Sequence, residues 1–351
     1  MSLPEIWFVA VAVLFVGYFL LEGFDFGVGG LLPVVGRTEN DRRVMINTIG
    51  PVWDANETWL IVAGAAMFAA FPDWYATLFS GFYLPLLLIL LALIARGVAF
   101  EYRGKVDDPR WRARWDAAIV AGSLLPALLW GVAFANIVRG VPVDADMTYV
   151  GSPLLTLLNP YALLGGLVTL TLFLTHGAVF LAMRTEGPVR VRARAVALRL
   201  GPVTALLAVG FLGWTVLDDG GAATAGLAAL AALALVGALV ATAARREALG
   251  FALTAVTVVA AVASLFVALF PAVLPSTLDP AWSLTVDNAS STPYTLTIMT
   301  WVTVVMLPVV LLYQAWTYRV FRRRIHPHHI PAAAGLPARR RPETAVPQQR
   351  G

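Results

Sequence analysis

Long apolar segments, separated by short polar connections, recur along this chain of 351 residues. A helix of about 20 apolar residues spans the hydrocarbon core of a bilayer. Nine segments are long enough, and each predicts a membrane-spanning helix. They comprise residues 6–35, 49–71, 75–99, 117–138, 161–183, 200–217, 222–242, 251–270 and 294–321. The sequence therefore predicts an all-α integral membrane protein with nine transmembrane helices.

The composition agrees with a membrane protein and excludes several kinds of chemistry. Hydrophobic residues make up 59% of the chain and charged residues 13%, and the mean hydropathy is +0.77. A soluble domain would need far more polar surface. Cysteine is absent, which excludes disulfides, Fe–S clusters and thiolate-ligated haem. The net charge of +4 does not indicate a nucleic-acid partner, and nothing resembles a nucleophile, a phosphate-binding loop or a complete metal site.

The cations predict the orientation of the chain. If the nine segments cross the membrane in strict alternation, 24 of the 25 cations fall on one side, and Arg139 alone falls on the other. Cytoplasmic loops of membrane proteins carry an excess of Lys and Arg. We therefore expect the N-terminus outside and the C-terminus in the cytoplasm. Residues 1–321 form one transmembrane domain in this interpretation, and residues 322–351 a disordered, basic cytoplasmic tail rich in Pro, Ala and Arg.

Four carboxylates interrupt the first two apolar segments. Glu22 and Asp25 are three residues apart, as are Asp54 and Glu57. Residues at i and i+3 lie on one face of a helix, so each pair is predicted to point into the bundle. Counting back from the cations at 1.5 Å per residue puts Asp25 about 18 Å from Arg37, and Asp54 and Glu57 about 8 and 12 Å above residue 49. All four thus lie in the cytoplasmic half, which indicates proton uptake from the cytoplasm.

Structural roles are the alternative for these polar residues. A protonated carboxyl group can simply hydrogen-bond two helices together, although intramembrane ionisable groups are usually functional. Asn56 lies between the second pair and is either a relay group or a structural one. Trp53 fits an interfacial anchor, with stacking on a quinone headgroup as the alternative. His176 is the one histidine within the apolar segments, and a packed, hydrogen-bonded role is favoured over a proton relay.

Several motifs resemble subunit II of the cytochrome bd quinol oxidases. The similarity extends from about residue 17 to residue 318. It is carried by Gly23-Phe-Asp-Phe-Gly-Val-Gly29, Pro51-Val-Trp-Asp-Ala-Asn56, Phe79-Ser-Gly-Phe-Tyr83, Thr175-His-Gly-Ala178 and Leu311-Leu-Tyr-Gln-Ala-Trp316. The resemblance implies two four-helix bundles plus one peripheral helix. It also implies a larger partner, subunit I, which holds two b-type haems and haem d and oxidises quinol, whereas subunit II binds no haem.

The resemblance also implies roles for particular residues. Asp54 matches the family's proton-path aspartate in its Trp-Asp-x-Asn motif, and Asp25 matches the Gly-Phe-Asp motif. Glu57 and Glu22 fall at positions where family members differ. The expected location is the bacterial plasma membrane, with lipid and quinone as surroundings. Whether a structural quinone or small single-helix accessory subunits bind is left open by the sequence.

Three functions are compatible with these residues. The first is the non-haem subunit of a quinol:oxygen oxidoreductase of the respiratory chain, which supports subunit I and supplies carboxylates for proton uptake. The second is a proton-coupled secondary transporter, against which the sequence shows no inverted halves with broken helices and no intramembrane cation for an anionic substrate. The third is a purely structural membrane subunit whose carboxylates only connect helices.

Overall fold

The chain folds into a bundle of long helices. The structure, a computed structural model, describes residues 1–152, 154–219, 221–325 and 336–337. The helices are α1 (Leu3–Gly30), α2 (Leu32–Val35), α3 (Glu39–Ile49), α4 (Trp53–Ala70), α5 (Pro72–Gly81), α6 (Tyr83–Tyr102), α7 (Pro109–Arg139), α8 (Pro160–Arg184), α9 (Gly187–Asp219), α10 (Ala222–Ala243), α11 (Glu247–Leu269) and α12 (Pro293–Val320).

Eight of the helices in the described ranges are long and apolar enough to cross a membrane, namely α1, α6, α7, α8, α9, α10, α11 and α12. The remaining predicted span, residues 49–71, corresponds to α4, which has 18 residues. Its first two turns carry Asp54, Asn56 and Glu57, which lower its hydropathy. A largely helical membrane architecture is therefore confirmed, while the count of nine spans stays a prediction.

The predicted span 75–99 is interrupted. The structure has two helices there, α5 and α6, which meet at Phe82. Pro85 lies in the first turn of α6 and has no N–H to donate to the carbonyl of Gly81, so a continuous helix would lose that bond. The helix restarts with a bond from the N–H of Leu86 to the carbonyl of Phe82.

Two predicted connections are helical. Residues 36–48 contain α3, which begins with a capping box in which Thr38 and Asp41 each bond the other's backbone N–H. Val44 and Met45 of α3 are buried, so this helix packs against the membrane-spanning helices. The predicted connection 184–199 is mostly the first part of α9, which starts at Gly187 rather than at residue 200. Arginines alternating with Val and Ala allow this extension, because the charged side chains reach carboxylates on neighbouring helices.

The first helix lies at the centre of the bundle. It contacts α8, α4, α7 and α11, and makes smaller contacts with α12 and α3. Gly27 and Gly177 let α1 and α8 approach at backbone distance, since a Cβ added at Gly27 would lie 2.1 Å from the carbonyl oxygen of Phe173. Aromatic rings also pack against α1, where Phe15 and Phe19 each contact Phe134 edge-on at 5.0 Å. α1 therefore fixes the position of whatever polar groups it carries.

A small two-stranded sheet covers one end of the bundle. Strand β2 (Ala272–Leu274) pairs antiparallel with β3 (Leu284–Thr285), and the N–H of Val141 bonds the carbonyl of Pro275. At the opposite end, β1 (Val106–Asp107) pairs with β4 (Leu336–Pro337). Apart from residues 322–325 and this strand, the predicted disordered tail lies outside the described residues.

Candidate functional site

Three of the four predicted carboxylates converge in a buried polar cluster. Glu22 and Asp25 come from α1 and are fully buried, and Glu57 comes from α4 with 21% of its side chain exposed. The cluster also contains Asn56 from α4 and Arg96 from α6, both fully buried. We call these five residues the carboxylate cluster. It forms because α1, which carries the first pair, packs directly against α4.

Arg96 is the member that the sequence analysis did not single out. It lies near the end of the predicted span 75–99 and counts among the 24 cations expected on the cytoplasmic side, yet α6 continues six residues beyond it to Tyr102. The apolar run Gly97-Val-Ala-Phe100 after Arg96 was the signal of that continuation. The argument that the chain has no intramembrane cation was therefore wrong. The guanidinium of Arg96 also lies 4.6 Å from the ring centre of Phe26, an attractive cation–π arrangement.

Arg96 connects the two helices that carry the carboxylates. Its Nη2 donates to Oε1 of Glu57 at 2.5 Å and forms an ion pair with Oε1 of Glu22. An ion pair removed from water must be well hydrogen-bonded to offset desolvation, and removing one partner leaves a buried charge. One guanidinium faces three carboxyl groups, since Asp25 belongs to the same cluster. For the cluster to be electrically neutral, two of its three carboxyl groups must carry a proton.

Asp25 connects to the last helix through Asn56. The amide nitrogen Nδ2 of Asn56 donates to Oδ2 of Asp25 at 2.7 Å. The hydroxyl of Tyr318, in α12, donates to Oδ1 of Asn56 at 2.7 Å. Asn56 therefore connects α1, α4 and α12 by hydrogen bonds, and the two roles predicted from the sequence, relay group or structural group, stay predictions. Tyr318 was not identified from the sequence, because a tyrosine near a helix end is typical of interfacial anchoring.

Four polar atoms of the carboxylate cluster are buried and have no protein partner in the described part of the chain. They are Oε2 of Glu22, Oδ1 of Asp25, and Nε and Nη1 of Arg96. Buried polar groups in proteins are almost always hydrogen-bonded, often through ordered water. Two acceptors and two donors in one cluster are a suitable set of partners for water molecules between Glu22 and Asp25.

Asp54 does not join the cluster. Its side chain is exposed and makes no hydrogen bond or ion pair with the described residues. The prediction that Asp54 and Glu57 point the same way into the bundle was wrong. Because α4 begins at Trp53 rather than at residue 49, Asp54 lies in its first turn, about 1.5 Å along the axis instead of 8 Å. A carboxylate there is also favoured by the helix dipole.

Trp53 and His176 both make packing contacts. The ring of Trp53 lies 5.3 Å from that of Phe100 and against Gly97, which joins α4 to α6. His176 is fully buried and stacks on Phe251 at 4.8 Å. Its Nδ1 is 2.7 Å from Oγ1 of Thr254, and its Nε2 is 3.2 Å from the carbonyl of Leu20. Both ring nitrogens are engaged, so axial ligation of a haem would break one of these bonds.

Ion pairs surround the helix ends near α3. Asp116 accepts from Arg42 at 2.9 Å and from Arg103 at 2.5 Å, and Arg103 also donates to both carboxylate oxygens of Glu39. Burial lowers the pKa of Arg103, but the hydrogen bonds to Glu39 and Asp116 outweigh burial, so its pKa is raised. On α9, Arg192 donates to Asp41 at 2.7 Å. These pairs hold α3 against α6, α7 and α9.

An apolar cavity of about 260 Å³ lies between α8, α9, α10 and α11. Phe134, Phe173, Phe211 and Leu265 contribute to its wall. The hydroxyl of Thr169, which also lines it, is bonded to the backbone carbonyls of Ala127 and Gly165. The cavity thus suits a hydrocarbon chain better than a polar headgroup.

Comparison with known proteins agrees with this architecture. Residues 3–321 match the family described as cytochrome bd terminal oxidase subunit II. The chain is 43% identical to cytochrome bd ubiquinol oxidase subunit 2 of Bacillus subtilis, over 92% of this chain and 97% of that protein. It is 39% identical to cytochrome bd-I ubiquinol oxidase subunit 2 of Escherichia coli K12, over 89% and 92%.

The fold is also that of a solved oxidase. A chain of the bd oxidase from Geobacillus thermodenitrificans superposes with a TM-score of 0.76 at 16% identity, over 92% of this chain and 99% of that chain. At this identity the likeness shows the fold alone. The sequence match over residues 3–321 shows the family. The chain belongs to the subunit II family of the cytochrome bd terminal oxidases.

Proposed function

We propose that this chain supports the haem-bearing subunit I of a quinol oxidase and supplies its carboxylate cluster for proton uptake from the cytoplasm. That the chain is a multi-pass subunit of such an oxidase in the bacterial inner membrane follows from its family. Family membership also argues against the secondary transporter. The single observation that carries the proton-uptake role is the cluster of three carboxyl groups, two of them fully buried, beside one buried guanidinium.

The overall reaction defines what this chain must deliver. Reducing one O₂ to two waters consumes four electrons and four protons, and oxidising two quinols releases four of each. If quinol releases its protons outside and the oxygen site takes its protons from the cytoplasm, a membrane potential forms without a pump. We place the two b-type haems and haem d, which carry the electrons, in subunit I. The residues of this chain then only bind, hold and pass protons.

The geometry suggests an order of transfer within the chain. Asp54 is exposed at the start of α4 and is the group that meets water or the partner subunit. Glu57 lies one turn further along and is partly exposed, so it connects the surface to Arg96. Glu22 lies behind Arg96, and water bridging the unpartnered oxygens of Glu22 and Asp25 would connect those two. Asn56 and Tyr318 hold Asp25 in place.

The last helix supports the assignment of a partner. Only 6% of the spanning part of α12 is buried within this chain, and its exposed side chains include Val305, Val309, Leu312 and Trp316. Among the described helices, α12 packs mainly against α1 and α4. We infer that subunit I covers α12 and the outer face of α4, and thereby Asp54. The apolar cavity between α8 and α11 would take the tail of a structural quinone or a lipid chain.

The decisive experiment is Asp54→Asn in the intact oxidase. We expect quinol-dependent oxygen consumption to fall about 100-fold, the lower end of the usual effect of losing a positioned proton-transfer group, while the visible haem spectrum stays normal. Asp73→Asn is the matched control, because Asp73 is also exposed and in the first turn of a helix, at the other end of α4. Full activity of Asp54→Asn would remove Asp54 from the route.

The purely structural alternative makes a different prediction for the same cluster. If the carboxylates only connect helices, Glu57→Gln should reduce the yield of assembled oxidase and leave turnover per haem unchanged. If they carry protons, turnover per haem should fall in the assembled enzyme. Measuring the yield of assembled oxidase and the turnover per haem on one preparation distinguishes the structural role from the proton-transfer role.

A further inference from the structure

A cationic pocket lies where α8 and α12 end beside the connection between α3 and α4. It has a volume of about 490 Å³, and its wall includes Arg184, Arg323 and Arg324 together with Asn47 and Phe321. Arg184 and Arg324 are half-buried and Arg323 is exposed. No carboxylate in the described ranges forms an ion pair with any of the three arginines. We call this the arginine pocket.

The backbone fixes the three arginines relative to one another. The N–H of Ile325 donates to the carbonyl of Arg184 at 2.9 Å, and the guanidinium of Arg184 donates to the carbonyl of Phe321. Arg184 therefore bonds both ends of the segment from Phe321 to Ile325, which keeps Arg323 and Arg324 beside it. The guanidinium also lies 5.9 Å from the ring centre of Phe180, which keeps it against α8.

We propose that the arginine pocket binds the headgroup of an acidic phospholipid from the cytoplasmic leaflet. Arginine presents a planar fork of N–H donors that matches a phosphate, and basic pockets between transmembrane helices on the cytoplasmic side bind such headgroups. Asn47, whose side chain is exposed at the rim, supplies a further amide donor. The proposal requires the cytoplasmic placement of this end but not the proton-uptake role.

Two features favour a lipid over free phosphate. The pocket continues onto the apolar side chains of Val320 and Phe321, which are about half exposed. The pocket also lies at the end of the spanning helices α8 and α12 that is predicted to be cytoplasmic, where a bound headgroup leaves its acyl chains free to extend into the bilayer. A free phosphate would use the arginines alone and leave the apolar side chains uncovered.

The test is lipid retention by the purified oxidase complex. We would measure by native mass spectrometry how many phosphatidylglycerol molecules remain bound to the wild type and to R323Q/R324Q. Each arginine near an anionic lipid contributes about fivefold in affinity, so two substitutions should weaken the site by about 25-fold. We expect the variant to retain one phosphatidylglycerol fewer. The charge-preserving variant R323K/R324K should restore most of the binding.

The matched control is R245Q/R246Q, which removes two adjacent, exposed arginines from the turn between α10 and α11. Equal lipid loss in both glutamine variants would mean that general surface charge holds the lipid, and would overturn the proposal. Equal retention in wild type and R323Q/R324Q would do the same. A third arm adds millimolar inorganic phosphate to the wild type. Displacement of phosphatidylglycerol at that concentration would show a free-phosphate site instead.

Discussion

At the level of single residues, Arg96 determines how the three carboxyl groups of the cluster are tolerated. It contacts the buried Glu22 and the partly exposed Glu57, and it lies over the buried ring of Phe26. A lone carboxylate at the centre of a membrane helix costs about 2.5–3.5 kcal/mol on insertion scales. The guanidinium offsets part of that cost, so its loss should affect stability as well as proton transfer.

We predict that Arg96→Gln destabilises the assembled oxidase by about 3–5 kcal/mol, because Glu22 and Glu57 lose the only cation that pairs with them among the described residues. The change would be seen as a lower apparent Tm of the purified complex. Arg112→Gln is the control, since its partners Asp107 and Glu39 have side chains that are 54% and 38% exposed, and exposed pairs contribute about 0–1 kcal/mol. Equal decreases in Tm for the two variants would contradict a special stabilising role for Arg96.

Much of the carboxylate cluster could be predicted from the sequence, for a definite reason. Glu22, Asp25 and Glu57 interrupt apolar segments, and because a charge within the membrane costs free energy, such residues usually have a function. Asp54 was misplaced because an i, i+3 spacing does not say where a helix begins, and α4 begins four residues later than expected. Arg96 was missed because it lies near other cations that do belong to a loop.

At the level of secondary-structure elements, the contact between α1 and α8 holds the cluster in register. The two helices touch at Gly27 and Gly177, where no side chain separates the backbones. Small residues at such positions allow close packing of membrane helices. Glycines cluster around Asp25 in the sequence, but this pattern does not identify which helix is the neighbour.

We predict that Gly27→Ala weakens the fold, because the new Cβ would lie 2.1 Å from a backbone carbonyl oxygen and 2.7 Å from the Cα of Gly177. Overpacking of this kind costs about 1–3 kcal/mol or more. Gly226→Ala in α10 is the control, since a Cβ there has no atom within 4 Å. Thermal denaturation of both variants checks the prediction, and an unchanged Tm for Gly27→Ala would contradict it.

At the level of the whole molecule, the absence of cysteine makes the predicted orientation directly testable. Asp287 lies in the loop before α12 and Arg246 in the turn before α11, and both are exposed. We predict that a membrane-impermeant maleimide labels Asp287→Cys on intact cells with a permeable outer layer, and labels Arg246→Cys only after the membrane is opened. The cysteine-free wild type is the control. The reverse pattern would invert the topology.

The overall helical architecture followed from the sequence because the apolar segments are long, whereas breaks within them did not. The interruption between α5 and α6 depends on one proline, and the helical character of residues 39–49 depends on a capping box within a charged stretch. Interactions between distant parts of the chain, such as Asn56 with Tyr318, leave no trace in local pattern.

The long sequence separations within the carboxylate cluster bear on how the protein is made. Helices emerge from the ribosome in order, so Glu22 and Asp25 leave it 74 and 71 residues before Arg96 does, and Asn56 leaves it 262 residues before Tyr318. The helices α1 and α4 therefore reach the insertion machinery carrying acidic groups whose cation has not yet been synthesised. Arg96 can offset the cost of burying these groups only once α6 has followed, so α1 and α4 are less stable in lipid until then.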